Sequence, residues 1–229
     1  MLIGVLLKKT LIVKIVIQIV LWIVALFMGY LIYASIEAPI QFEKVKKERY
    51  MPVIEKLTDI RRSQIAYKDV TGHYADNFDS LVRFIDTAEF VITQRRDTSF
   101  LDEEFKKTYG VDKYINDVIV DTLGYSSVKD SLFKNSDRYK QIMYVPNTND
   151  EVQFEIQADS IRKNDSYIQV FEVRVDKALL LEDQDKNLVE RERKRQSVDD
   201  VNGPYIQVGS MSKVNDDGNW PKDYGKKSQ

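Results

Sequence analysis

From Ile15 to Ile36 the chain carries no formally charged side chain over about 22 residues (Ile15-Val-Ile-Gln-Ile-Val-Leu-Trp-Ile-Val-Ala-Leu-Phe-Met-Gly-Tyr-Leu-Ile-Tyr-Ala-Ser-Ile36). A helix of that length rises roughly 33 Å, enough to cross the ~30 Å hydrocarbon core of a bilayer. Backbone groups in hydrocarbon must be satisfied internally, which a continuous helix does. The apolar character runs all round the helix instead of forming one stripe, so a core helix of a soluble protein is the weaker reading. Trp22, Tyr30 and Tyr33 have amphipathic rings suited to the interfaces, and Ile15, Phe27 and Ile36 complete the set assigned to the anchor.

A cleaved signal peptide is the nearest rival, since Lys8, Lys9 and Lys14 resemble a basic leader. The run is longer than the ~7–15 residues of an ordinary signal core, and no A-x-A site follows it. An uncleaved signal anchor fits better. Orientation turns on flanking charge: Lys8, Lys9 and Lys14 precede the run, whereas Lys44, Lys46, Lys47 and Arg49 follow it. The charges nearest the span, Lys14 before and Glu37 after, tilt the positive-inside rule toward a cytoplasmic N-terminus. The expected location is a bacterial inner membrane, crossed once, with the C-terminal domain outside and the bilayer as first partner.

The sequence divides into a cytoplasmic tail (1–14), a transmembrane helix (15–36), a stalk helix (37–70), an extracytoplasmic α+β domain (71–201) and a flexible C-terminal tail (202–229). The fold expected is α+β: the transmembrane helix continues into an amphipathic stalk helix, followed by a small antiparallel sheet with flanking helices. In the stalk, Val53, Leu57, Ile60 and Tyr67 recur at three and four, with Pro52 as a kink or a fresh helix start. The later half of that helix should dock on the domain; fewer than three clean heptads make a coiled coil the lesser alternative.

Asp76 or Asn77 can cap a short helix carrying Leu81, Val82, Phe84 and Ile85. A strand is expected at 88–94, and a helix over 101–109 closed by Gly110, with acids early and lysines late along the dipole. Short strands follow at 117–122 and 125–128 around a Gly124 turn, and at 141–145. The clearest alternation is Glu151 to Gln157, with a partner in Tyr167 to Val175 joined through Arg162 to Ser166. One helix is expected over 177–195, and an edge strand at 205–208 in a loosely packed tail.

Chemistry is sparse. With no cysteine, disulfides, thiolate metal sites and thiol catalysis are excluded. The single histidine, His73, lies between Gly72 and Tyr74 in a turn, where a structural role outweighs ligation or base catalysis. Nucleotide-binding, zinc-protease and serine-hydrolase motifs do not occur. No catalytic residue, cofactor site or metal site is therefore assigned, and Asn215 to Asn219 lacks the spacing and terminal Glu of a calcium loop. A carboxylate hydrolase would require two acids from Glu103, Glu104, Asp117, Asp121 and Glu172 to converge.

The net charge of −2 with finely mixed signs argues against nucleic acid as partner, and the basic run Arg191 to Arg195 reads as a solvated helix face. What remains is a membrane-held domain for protein–protein interaction or envelope assembly. Its partners would be other envelope proteins or further copies of itself, and it is read as no enzyme.

Two resemblances add to this. A spanning helix that continues into an amphipathic one, then Tyr67 to Tyr74 (Y-x-x-x-x-G-x-Y), Asp76, Leu81 and an antiparallel sheet, resembles the layout of type IV pilins and pseudopilins over roughly the first 85 residues. That resemblance implies a subunit of a secretion or surface machine. The chain departs from it in lacking the processing site and the Glu that follows, since Gly4 leads into Val5 to Lys9. Separately, Asp followed by Ser or Thr and an aliphatic or small residue is similar to the O-glycosylation motif of extracytoplasmic Bacteroidetes proteins. It makes Ser80, Thr87, Thr122, Ser131 and Ser160 candidate acceptors.

Overall fold

The computed structural model describes residues 2–134, 136–148 and 151–221, with the side chains of 2–13 and 15 left out. Its architecture is α+β, a long N-terminal helix followed by a small antiparallel sheet with flanking helices. Helix α1 (Leu2–Thr71) is continuous for 70 residues and contains both Pro39 and Pro52. At 1.5 Å per residue it is roughly 105 Å long. Pro52 neither breaks it nor starts a new helix. A mid-helix proline costs about 3 kcal/mol, whereas full burial of Tyr50, Val53, Ile54 and Leu57 around it stabilises by about 1.5–3 kcal/mol per side chain.

The two halves of α1 live in different surroundings. Up to Ile40 the described side chains are exposed or half-exposed, and none of the most apolar window is buried. From Phe42 onward a stripe of Phe42, Tyr50, Val53, Leu57 and Ile60 is buried. Docking therefore begins well before Val53, and little of the segment after Ile40 stands free as a stalk.

Helix α2 (Phe78–Thr87) is capped by Asn77, whose side chain accepts from Ser80 N at 2.8 Å, and it buries Leu81, Phe84 and Ile85 against α1. Strands β1 (Glu89–Leu101) and β2 (Tyr114–Ser127) then form a two-stranded antiparallel ribbon, joined at its tip by α3 (Glu103–Tyr109). The ribbon is continuous from Glu89↔Ser127 to Leu101↔Tyr114, roughly 40 Å at ~3.3 Å per residue. Sequence alone suggested three short strands here. Polar Gln94 to Ser99 hid the outer half of β1, and Gly124 marks a bulge with Leu123 as the extra residue instead of a turn. At the tip, Asp102 accepts from Phe105 N at 3.0 Å, and Gly110 (φ 70°) closes α3 in the left-handed conformation.

Helix α4 (Val128–Phe133) packs on α2, and Val128 N donates to Ala88 O at 3.0 Å, closing the base of the ribbon. The strand expected at 141–145 is absent. Asp137–Gln141 forms a 3-10 helix because Tyr139 and Ile142, three apart, are both buried, and Tyr144 makes only an isolated bridge to Gln153.

The second sheet has the order β3-β4-β5, from β3 (Glu155–Lys163), β4 (Ser166–Asp176) and β5 (Tyr205–Gly209), all antiparallel. Strand β3 starts later than its alternation suggests, since Val152 and Phe154 pair instead with the Met143–Val145 loop. The β3–β4 connection is only Asn164-Asp165, both at positive φ (48° and 61°), a type I′ turn. One face of the sheet, including Phe171, Val173, Val175, Ile206 and Val208, is buried, and β5 contacts α1. The other carries Arg174, which meets Glu155 at 2.8 Å and Glu172 at 3.1 Å.

The helix expected over 177–195 is two, α5 (Lys177–Leu180) and α6 (Lys186–Arg193). Asp185 starts the second by accepting from Asn187 N and Leu188 N, a cap that competes with helix continuation. The region expected as a loose tail from 202 is integrated as far as it is described. Ile206 and Val208 are buried in β5, and Asn219 hydrogen-bonds across to Gln207, Asn202 and Tyr205. Residues 222–229 lie outside the described part.

Candidate functional site

Three features hold what chemistry the chain has: the apolar half of α1, a buried ion network, and the β1–β2 ribbon. On the first, Trp22, Phe27, Tyr30, Tyr33 and Ile36 are all exposed, at 59–65% of their full surface, with no protein packed on them. Aqueous exposure of so many large apolar side chains is unfavourable by ~25 cal/mol per Å2, so this surface requires an apolar cover. Lys14 is exposed, and Glu37 accepts from Gln41 Nε2 at 2.7 Å. The side chains of Lys8, Lys9 and Ile15 lie outside the described residues. Among the described residues there is thus one segment, near the N-terminus, long and apolar enough to cross a membrane.

The ion network lies just beyond. Lys46 of α1 is 1% exposed, and its Nζ is 2.6 Å from Glu43, 3.3 Å from Glu192 and 2.8 Å from Asp200. Lys177, at the start of α5 and fully buried, meets the other oxygen of Glu192 at 2.9 Å. It also donates to the carbonyls of Glu192 and Val201. Arg195 closes the cluster onto Glu43, Glu192 and Asp200. Three cations therefore face three carboxylates. Lys46, Lys177, Glu192 and Asp200 are desolvated, which is tolerated only because each has several partners, whereas Glu43 and Arg195 reach solvent at the rim.

The two lysines respond oppositely to burial. For Lys177, desolvation dominates and pushes the ammonium's pKa down, because a single carboxylate and two neutral carbonyls surround it. For Lys46, desolvation is outweighed by hydrogen bonds to Asp200 and Glu43 and by the charge of Glu192, and its pKa rises. Asp200 also resists desolvation, held below the usual carboxylate range by Lys46 and Arg195. Glu43, Glu192 and Asp200 each bring an oxygen within 4.8 Å of the others, the spacing of a cation site, and the Lys46 ammonium supplies the positive charge at its centre.

Sequence reasoning missed this network. Arg191 to Arg195 had suggested a solvated face. Arg191 and Lys194 are exposed, but Glu192 is buried, Arg193 pairs with Asp176 at 3.0 Å, and Arg195 belongs to the cluster. The only available signal was Val189 and Glu192 three apart on one face of α6.

A smaller pair reinforces the same junction: Arg49 of α1 grips Asp183 with both terminal nitrogens and donates to Leu180 O at 2.7 Å. The Arg49 guanidinium holds the Asp183 carboxyl down at about 2. These residues, with Val45, Pro146 and Glu182, line an open hollow of about 610 Å3.

The acids that would serve a hydrolase are dispersed. Glu103 and Glu104 are on α3 at the ribbon tip, Asp117 and Asp121 on β2, and Glu172 on β4. His73 is exposed in its turn, with Nδ1 3.1 Å from Thr71 O and its ring edge-on to Tyr67. Of the candidate acceptors, Thr87, Thr122 and Ser131 are exposed, and Ser80 and Ser160 half-buried. Thr87 donates to Arg83 O at 2.8 Å, and Ser131 meets Ser126 at 3.1 Å. Asp86, preceding Thr87, accepts from the Tyr139 hydroxyl.

The β1–β2 ribbon has no sequence signature beyond β-branched content, yet it is the feature least explained by the domain's own stability. Val91, Tyr114, Val118, Val120 and Tyr125 lie on one face and Ile92, Phe100, Ile115 and Ile119 on the other, all exposed. A lone hairpin is marginal in water, and one with apolar side chains on both faces lacks a core. No protein-family model, curated protein or solved structure matches this chain.

Proposed function

We propose that this chain is a single-pass membrane protein, anchored through 15–36, that holds an extracytoplasmic α+β domain near a bacterial inner membrane for protein–protein contact in envelope assembly. Lys14 inside and Glu37 outside set the orientation. The observation that carries the proposal is the β1–β2 arm: roughly 40 Å of ribbon with exposed apolar side chains on both faces, borne by the domain into which the anchor helix is built. The ion network and the Arg49–Asp183 pair support it mechanically. They tie α1 to α5, α6 and the chain near Asp200, while α2 and α4, which bear the base of the arm, pack on α1.

Photo-crosslinking in intact membranes tests this. A photoreactive residue at Val120 or Ile115 should give protein adducts, whereas one at exposed Arg162 near the end of β3 should not. Absence of adducts at both arm positions in membrane-inserted protein would overturn the contact function.

A second reading, a pilin-like subunit, is favoured by the unbroken α1 whose second half packs on an antiparallel sheet. N-terminal mass analysis separates the two, since a processed N-terminus supports the pilin layout and an intact one the signal anchor. The O-glycan proposal is supported by exposure of Thr87, Thr122 and Ser131, and intact-mass measurement tests it.

A further inference from the structure

We infer that the arm's partner is a second copy of this chain, and that neighbouring copies in one membrane pair their arms edge to edge, β2 of one against β1 of the next. This rests on the contact role proposed above and names its occupant. Four observations converge on it.

The arm has two open edges. Among the described residues its sheet consists of β1 and β2 alone, so the outer edge of each strand, 13 and 14 residues long, has no strand partner, although Val118 N already donates to the Asp117 carboxylate at 2.8 Å. Proteins that keep such edges solitary protect them with lysine, proline or a covering element. Neither strand contains Lys or Pro, and the only interruption is the bulge at Leu123.

Charge selects the pairing. The only charges on β2 are Asp117 and Asp121, while the middle of β1 carries Arg95, Arg96 and Asp97, with Glu89 at its base. Arg96 already meets Asp121 across the hairpin at 2.6 Å, which leaves Arg95 and Asp117 without an ion pair among the described residues. Joining β2 to a neighbour's β1 brings Arg96 beside Asp117 and Asp121, which share its face, while Arg95 lies on the other face. Joining β2 to β2 would oppose acids to acids.

Orientation selects the symmetry. Copies held by the same anchor all face one way, so their arms project alike at one height. Side by side, β2 of one copy then runs antiparallel to β1 of the next, as it does to its own β1. With copies level, the neighbour's Arg96 faces Ile119 between Asp117 and Asp121. This contact is head-to-tail, so it repeats and closes as a ring or extends as a row.

The membrane segment agrees independently. Ala25 and Gly29 are four apart on one exposed face of α1, and nothing lies within 4 Å of the position a Cβ at Gly29 would occupy. Small residues at that spacing let spanning helices approach closely.

The test uses full-length protein in membranes, carried on two differently tagged copies and read by co-purification in mild detergent and by native mass. Two charge variants are compared: Arg95→Glu with Arg96→Glu, which makes both strands acidic, and Asp117→Lys with Asp121→Lys, which sets lysines of β2 against Arg96 of a neighbouring β1. Wild type should self-associate. Each variant alone should lose self-association at least tenfold, and co-expression of the two should restore it, because every junction in an alternating array again pairs opposite signs. A misfolded variant cannot be rescued in this way, and the broken Arg96–Asp121 pair within each chain stays broken in the mixture. Monomeric wild type, variants that assemble as wild type does, or failure of the mixture to recover would each overturn self-pairing. If the arm's photo-adducts contain only a different protein, self-pairing fails while the contact function stands.

Discussion

Lys46 on α1 and Asp200, 154 residues later in the chain, place ammonium and carboxylate 2.8 Å apart in the protein interior. This contact joins the helix that carries the apolar segment to the stretch of chain leading into β5, and it constrains how that segment and the domain move together.

Replacement of Lys46 by Met removes the cation from among three carboxylates without opening a large cavity. Glu192 keeps Lys177, and Asp200 keeps Arg195, so the loss should be about 3 kcal/mol, at the low end for breaking a buried pair. Chemical denaturation of the detergent-solubilised protein measures it, with unchanged m-value expected.

Asp200 sets the acid limb of stability. Its folded pKa is depressed by Lys46 and Arg195, so its contribution is complete above the unfolded carboxylate value near ~3.9 and fades as pH falls through the lower folded value. Asp183, held at about 2 by Arg49, adds a smaller contribution of the same sign, reduced because that pair is solvent-exposed. Thermal melts should show Asp200→Asn well below wild type at pH 7, with the gap narrowing below about pH 4, where the wild-type carboxyl is itself increasingly protonated.

Gly209 ends β5 at φ 77°, and a Cβ there would overlap the Phe171 carbonyl oxygen of β4. Backbone cannot swing aside as a flexible side chain can, so Gly209→Ala should cost about 2 kcal/mol or more and loosen the β4–β5 edge. Hydrogen exchange at Val173 and Val208 reads that loosening directly. Gly203→Ala, also at positive φ but with open space around it, should cost less.

Excision of the arm is predicted to be mild. The Val128 N to Ala88 O hydrogen bond and the packing of α2 on α4 already close its base. Replacing 92–124 by a two-residue Asn-Gly turn between the paired Val91 and Tyr125 should leave the domain's melting temperature within a few degrees. Self-association should vanish with the arm.

Parts of this design were legible in the residues. The uncharged run from Ile15, the spacing of Val53, Leu57 and Ile60, and the alternation around Phe154 and Val173 are local patterns, so a long apolar helix, its packed continuation and an antiparallel hairpin could be read directly. The ion network could not, because Lys46, Lys177, Glu192 and Asp200 come from distant segments and each looks locally like an ordinary surface charge. The arm was hidden for a different reason. Its polar middle, Gln94 to Ser99, breaks the apolar pattern of a buried strand because this ribbon is not buried. Gly124 imitates a turn where the strand only bulges.

The most direct test of the account is the side of the membrane on which the arm lies. The chain has no cysteine, so Thr108→Cys at the arm tip gives a single thiol, and labelling of intact spheroplasts with a membrane-impermeant maleimide reports its location. The account predicts full labelling before lysis and no increase after it. Labelling that appears only once the membrane is broken would place the domain in the cytoplasm and contradict the topology, the envelope role and the glycan proposal together.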